Sequence, residues 1–130
     1  MDECCSQKPN YNDSQLSQEK ATELEEMFKV LANDTRLKLL VLLCNTDEMS
    51  VTELAVGSGM TVQAVSGHLQ RLTLGGILAY QRHGNHVHYR LIDGCVRSLL
   101  EKGLCLLDDM EQAKIKEKSS AKKKSVTKRK

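Results

Sequence analysis

Aromatic side chains are almost missing from this chain: its 130 residues include no Trp, one Phe (Phe28) and three Tyr. Any core must therefore be built from Leu, Val and Met. The shortage also argues against a binder of single-stranded nucleic acid, which stacks bases on aromatic rings; duplex DNA stays open. No stretch approaches the roughly 18 consecutive apolar residues of a membrane span. The start, Met1-Asp2-Glu3-Cys4-Cys5, is acidic and unlike a signal peptide. The expectation is a soluble, cytoplasmic protein without a membrane partner. There is no phosphate loop, no motif of paired catalytic carboxylates and no supported Ser/His/Asp constellation, so neither an enzyme nor a small organic substrate is expected. Proline occurs once, as Pro9. Cysteine occurs five times, at positions 4, 5, 44, 95 and 105. An odd number in a reducing compartment implies thiols rather than a disulfide framework, and thus metal or redox chemistry if they act at all.

What is present fits one domain with tails, since the length suits a single compact core and 40% of residues are hydrophobic. The net charge of +2 hides an asymmetry. Residues 114–130 carry nine Lys or Arg against Glu117 alone, a local charge of +8 that leaves −6 for the rest. A tail of that composition is expected to be disordered over 113–130, and it can add salt-sensitive affinity for DNA or simply keep the chain in solution.

Residues 1–17 are polar, show no apolar period, and read as a mobile arm. The domain is expected over 18–112. Leu24, Met27, Phe28 and Leu31 recur at steps of three and four, one face of an amphipathic helix, with Glu19, Glu23, Glu25 and Glu26 near its N-terminal half. Asn33-Asp34 offers an N-cap for a second helix, Thr35 to about Cys44. That helix is apolar nearly all round and is expected in the middle of the core. After a polar loop over 45–48, Ser50-Val51-Thr52-Glu53 matches a capping box. The helix it starts is expected to end near Val56, because Gly57-Ser58-Gly59 is a breaker cluster. Thr61 caps the next helix, Val62 to Leu74. Its inward face is Val65, Leu69 and Leu72, and its outward face is Gln63, Ser66, Gly67, Gln70 and Arg71, with His68 beside it. Gly75-Gly76 ends it, and 77–82 and 86–91 around His83-Gly84-Asn85 read as a hairpin that must pack on helices. A last helix from near Asp93 carries Val96, Leu99, Leu100, Leu104, Leu107 and Met110, a candidate dimer surface shared with the first helix.

A helix, a Gly-containing turn, a second helix with short and amide side chains outward, and a hairpin with a basic tip form the order of a winged helix-turn-helix. The expected fold is mainly α with this small β-hairpin. Each feature alone is usually a solvated face; the ordered combination is what points to DNA. Thr61, Gln63, Ser66, Gly67, His68, Gln70 and Arg71 are the candidates for the major groove, and Arg82, His83, Asn85 and His86 for phosphates or the adjoining minor groove. His86 and His88 face one side of their strand and read as wing surface rather than metal ligands.

The segments 28–40, 50–55, 65–72 and 82–91 resemble the ArsR/SmtB family of metal- or stress-responsive repressors, in register over about residues 20–111. Phe28 to Leu40, containing Leu31-Ala32-Asn33-Asp34-Thr35-Arg36-Leu37, is similar to the family's ALADPTRLxIL signature. The resemblance implies a homodimer on an imperfect palindrome of double-stranded operator DNA, with recognition helices roughly 34 Å apart, released by an inducer. The family's ELCVCDL thiolate motif is absent, since Met49 to Leu54 replaces it without cysteine. A last-helix pattern D-x-H-x10-H-x2-E, which holds zinc, nickel or cobalt, maps onto Asp93, Cys95, Leu106 and Asp109 in degraded form, with Cys105 beside the lost position. A third site type pairs arm cysteines with one on a rigid helix, which here implies Cys4 and Cys5 with Cys44 as the natural third ligand, Cys95 and Cys105 being the others. Soft thiophilic ions such as As(III), Cd(II) or Hg(II) favour three or four thiolates, and Zn(II) is a further candidate. The alternatives are a metal-independent or redox-responsive regulator, or a general DNA-binding protein that relies on its basic tail.

Overall fold

The computed structural model describes the backbone of residues 16–128 and the side chains of residues 16–119; the expected arm, with Cys4 and Cys5, lies almost wholly outside them. The chain divides into two compact units, one ending at Arg97 and the other beginning at Ser98. The order is α1 (Gln18–Leu31), α2 (Asp34–Cys44), β1 (Met49–Ser50), α3 (Val51–Ser58), α4 (Val62–Leu74), β2 (Leu78–His83), β3 (His86–Leu91) and α5 (Gly94–Lys128).

Each short helix starts where a side chain takes over a free backbone N–H. Ser17 caps α1 and Asn33 caps α2, accepting from the N–H of Lys20 and of Arg36 respectively. The capping box of α3 is complete, with Ser50 accepting from the Glu53 N–H and Glu53 accepting from the Ser50 N–H. Thr61 Oγ1 accepts from Ala64 N–H and starts α4. Gly59 ends α3 with φ +70°, a left-handed conformation that an L side chain adopts only at a cost. Arg36 then ties two helices together, its Nη1 donating to the Val30 carbonyl at 2.7 Å, where the end of α1 favours a cation.

The core of the first unit is aliphatic, as the shortage of aromatics requires. Leu39, Leu40 and Leu43 of α2, Leu54 of α3, and Val65, Leu69 and Leu72 of α4 are all 0–1% exposed. Ile77 and Leu78 close it from the start of the hairpin, and Val96 from the first turn of α5. The sheet is antiparallel in the order β1-β3-β2. Its two-residue connection places Gly84 first, with φ +65°, and leaves Asn85 at negative φ, the pattern of a turn whose twist matches the strands.

Four expectations need correcting. The loop before α3 ends in a third strand: Met49 and Ser50 pair with Tyr89 and His88. α2 is not enclosed all round. It packs on α3, α4 and β3, which leaves Leu37 and Val41 exposed at 38% and 36%. α3 continues past Val56 to Ser58, because Gly57 tolerates helix and its missing Cβ makes room for Leu42, whose Cδ1 would lie 3.1 Å away. The stretch expected as a disordered tail from 113 is helical in α5 as far as Lys128. No Pro follows Pro9 and no Gly follows Gly103, and Lys, Ala, Glu and Gln all favour helix.

Gly59→Ala is expected to destabilise the first unit by about 1–2 kcal/mol, read as a lower denaturation midpoint at unchanged slope. The Glu53 carboxyl is held below its ordinary value, first by its hydrogen bonds with Ser50 and further by His88. Its contribution is therefore complete above pH 4.5 and is lost as pH falls through the depressed value. Glu53→Gln keeps a capping amide but loses the charge. Its melting temperature is expected to lie below that of the wild type at pH 7 and to converge with it as the solution is acidified below pH 4.5.

Candidate nucleic-acid interface

The rotation of α4 about its axis is set by burial. Val65, Leu69 and Leu72, at steps of four and three, are fully enclosed, so the residues between them are turned outward. Gln63, Gly67, Gln70 and Arg71 are exposed, and Ser66 and His68 are half-buried at the edges of the same surface. Thr61 is exposed, and its hydroxyl is occupied in capping the helix. A tight turn ending in Gly59 and Met60 connects α3 to α4, with the Met60 N–H donating to the Ala55 carbonyl at 3.0 Å. This is a helix-turn-helix, and the second helix presents a short, amide-rich face of the kind that enters a major groove.

Gly67 stands in the middle of that face. A Cβ built there meets no atom within 4 Å, so no contact inside the described chain demands a glycine. A mid-helix glycine costs about 0.5–1 kcal/mol relative to alanine.

The hairpin follows directly on α4, and α4 packs on β2. Arg82, His83, Asn85 and His86 are all exposed at its tip. The pairs His83↔His86 and Gln81↔His88 place three histidines on one face of the ribbon, while Tyr80↔Tyr89 and Arg82↔Val87 share the other. On that second face the tyrosine rings lie 6.1 Å apart, and burial, with Tyr80 adding to it, pushes the Tyr89 hydroxyl above its ordinary value. By sequence alone Glu48 reads as part of a polar loop. It lies against the histidine face, with one carboxylate oxygen close to both His83 and His88. The strand that carries it there, two residues long, is too short to show a period.

The proposed metal ligands are more scattered. Cys44 is half-buried as the last residue of α2. Asp93 accepts from the Cys95 N–H at 2.8 Å, the arrangement of a helix cap, and Cys95 is half-buried. Cys105 and Asp109 are exposed on α5. Among the described residues, no three His, Cys, Asp or Glu side chains are grouped so as to hold a metal ion. No helix among them is long and apolar enough to cross a membrane.

Comparison with known proteins gives the same picture. The model of the bacterial regulatory protein arsR family matches residues 33–80, from the cap of α2 into β2. A cadmium resistance transcriptional regulatory protein CadC homolog of Staphylococcus aureus is 32% identical over 95 residues, covering 73% of this chain and 78% of the relative. The arsenical resistance operon repressor of Escherichia coli is 36% identical over 66 residues, and the match spans 56% of its length. Among solved structures, the AntR antimony-specific transcriptional repressor superposes with a TM-score of 0.70 at 50% identity, covering 83% of this chain and 98% of that one. A homodimeric winged helix-turn-helix DNA-binding domain from Mycobacterium bovis gives 0.64 at 31% identity over 73% of this chain and 90% of its own. With the helix-turn-helix, the wing and these relatives together, the chain belongs to the ArsR family of winged helix-turn-helix transcriptional regulators.

Proposed function

We propose that this regulator is a dimeric repressor that holds operator DNA with α4 and the wing and releases it when a thiophilic metal or metalloid ion binds its cysteines. The observation that carries the DNA half is the outward face of α4. Gln63, Gln70 and Arg71 offer hydrogen bonds to base edges, Ser66 and His68 flank them, and Gly67 leaves room for the helix backbone to approach the groove closely. Arg82, His83, Asn85 and His86 reach the backbone of the DNA from the wing. Thr61 supports this surface by starting the helix.

Apolar residues left exposed in each unit suit a second copy of the chain: Leu24 and Phe28 of α1, and Leu104, Leu107 and Met110 of α5. For the inducer, the cadmium, arsenical and antimony regulators among the relatives share ions that favour thiolates. Cys4 and Cys5 with Cys44 form the preferred set, and Asp93, Cys95, Cys105 and Asp109 the other.

Two experiments test the two halves. Gly67→Ala is expected to stabilise the free protein by about 0.5–1 kcal/mol while weakening its binding to a duplex from the gene's own upstream region at least tenfold; unchanged affinity would remove α4 from the interface. In fluorescence anisotropy on that duplex, As(III) or Cd(II) is expected to release the reduced wild type but not the variant with Cys4 and Cys5 replaced by Ser. Release that survives in this variant and disappears when Cys95 and Cys105 are replaced moves the sensor to the last helix, and indifference to every ion contradicts a thiol sensor.

A further inference from the structure

Glu48 and two wing histidines form a compact ionisable group. Glu48 Oε1 lies 3.2 Å from Nε2 of His83 and 3.4 Å from Nδ1 of His88. The two imidazoles meet edge to face, with centroids 4.9 Å apart. Each partner comes from a different strand or its approach: His83 ends β2, His88 lies in β3, and Glu48 precedes β1, whose Ser50 pairs with His88. One carboxylate thus ties the whole three-stranded sheet together at this face. His83 is the more open of the two rings, with 46% of its side chain exposed against 25% for His88.

The chemistry of the group depends on protons. Among the described residues Nδ1 of His88 is buried and makes no hydrogen bond, the Glu48 carboxylate being near it without forming one, an arrangement that costs free energy for a neutral ring. A proton shared towards the carboxylate turns that cost into a charge-assisted contact. Imidazole is the side chain that gains its charge between pH 5 and 8. The surrounding charges act in both directions. From α3, Glu53 faces His88, which helps to hold the Glu53 carboxyl below its ordinary value. From β3, His86 and Arg90 share the histidine face by the alternation of the strand.

We propose that Glu48 is a positioning residue for DNA binding: by pairing with protonated His83 and His88 it fixes the pose in which the wing tip meets the DNA backbone. This rests on the reading of the wing as a DNA contact. Protonation strengthens the Glu48 pairing and adds positive charge to an element that approaches a polyanion. Both effects have the same sign, so binding takes up protons and affinity rises as pH falls.

The test uses the full chain and a duplex from its gene's upstream region, with anisotropy titrations at pH 6, 7 and 8 and constant ionic strength. The wild type is expected to bind about tenfold more tightly at pH 6 than at pH 8, the change that one linked proton produces across its titration. Glu48→Gln and His83→Gln are each expected to reduce this ratio to about twofold or less, with Glu48→Gln keeping its melting temperature at pH 8. A wild-type ratio preserved in Glu48→Gln overturns the positioning role and assigns the pH dependence elsewhere, for example to His68 on α4. A wild-type affinity independent of pH overturns it as well. If Glu48→Gln does not fold, Glu48→Asp decides by the same criterion, since its shorter side chain keeps the charge but draws the carboxylate away from both rings. Tight binding without a pH slope contradicts only the role of Glu48, whereas no binding at any pH contradicts the reading of the wing itself.

Discussion

Burial of seven aliphatic side chains, Leu39, Leu40 and Leu43, Leu54, and Val65, Leu69 and Leu72, is the constraint from which the rest of the first unit follows. The three residues on α4 do two things at once. They supply hydrophobic contact, at about 2–5 kcal/mol for each such leucine truncated to alanine, and they fix which side of the helix faces outward. A face of Gln, Ser, Gly and Arg has no orientation of its own. It faces outward because the opposite side cannot leave the core.

The turn chemistry serves the same end. Ser50 with Glu53, Gly59 and Thr61 fix where α3 starts, where it stops and where α4 begins. The angle between the two helices is then a product of local chemistry as well as of packing. The wing continues from α4 through Gly75 and Gly76 and is held by β2 against that helix and by β3 against β1. α2 and α3 both pack on α4, so the same core positions that helix and, through β2, the hairpin.

The features legible in the sequence were those with a period or a specific cap. α4 is observed over Val62–Leu74, with the expected buried triad, and Asn33, Ser50 and Thr61 all cap helices. The hairpin strands were legible because alternating residues flank a Gly-Asn turn. What escaped depends on tertiary context. A two-residue strand has no period, so β1 and the approach of Glu48 to His83 and His88 could not be seen. Exposure of Leu37 and Val41 depends on which side of α2 receives neighbours, and an apolar helix does not reveal that. The helical course of α5 to Lys128 reflects helix propensity prevailing over charge. Cys4 and Cys5 lie outside the described residues.

The central claim is that α4 and the wing, rather than the basic stretch after residue 113, hold the DNA. Hydrogen–deuterium exchange of the full chain, with and without the upstream duplex, tests it most directly. The account predicts new protection concentrated in peptides from 61–74 and 78–91, with little change over 114–130. Protection confined to 114–130, with α4 and the hairpin exchanging as in the free protein, would contradict it and leave a general DNA-binding protein whose charged end supplies the affinity.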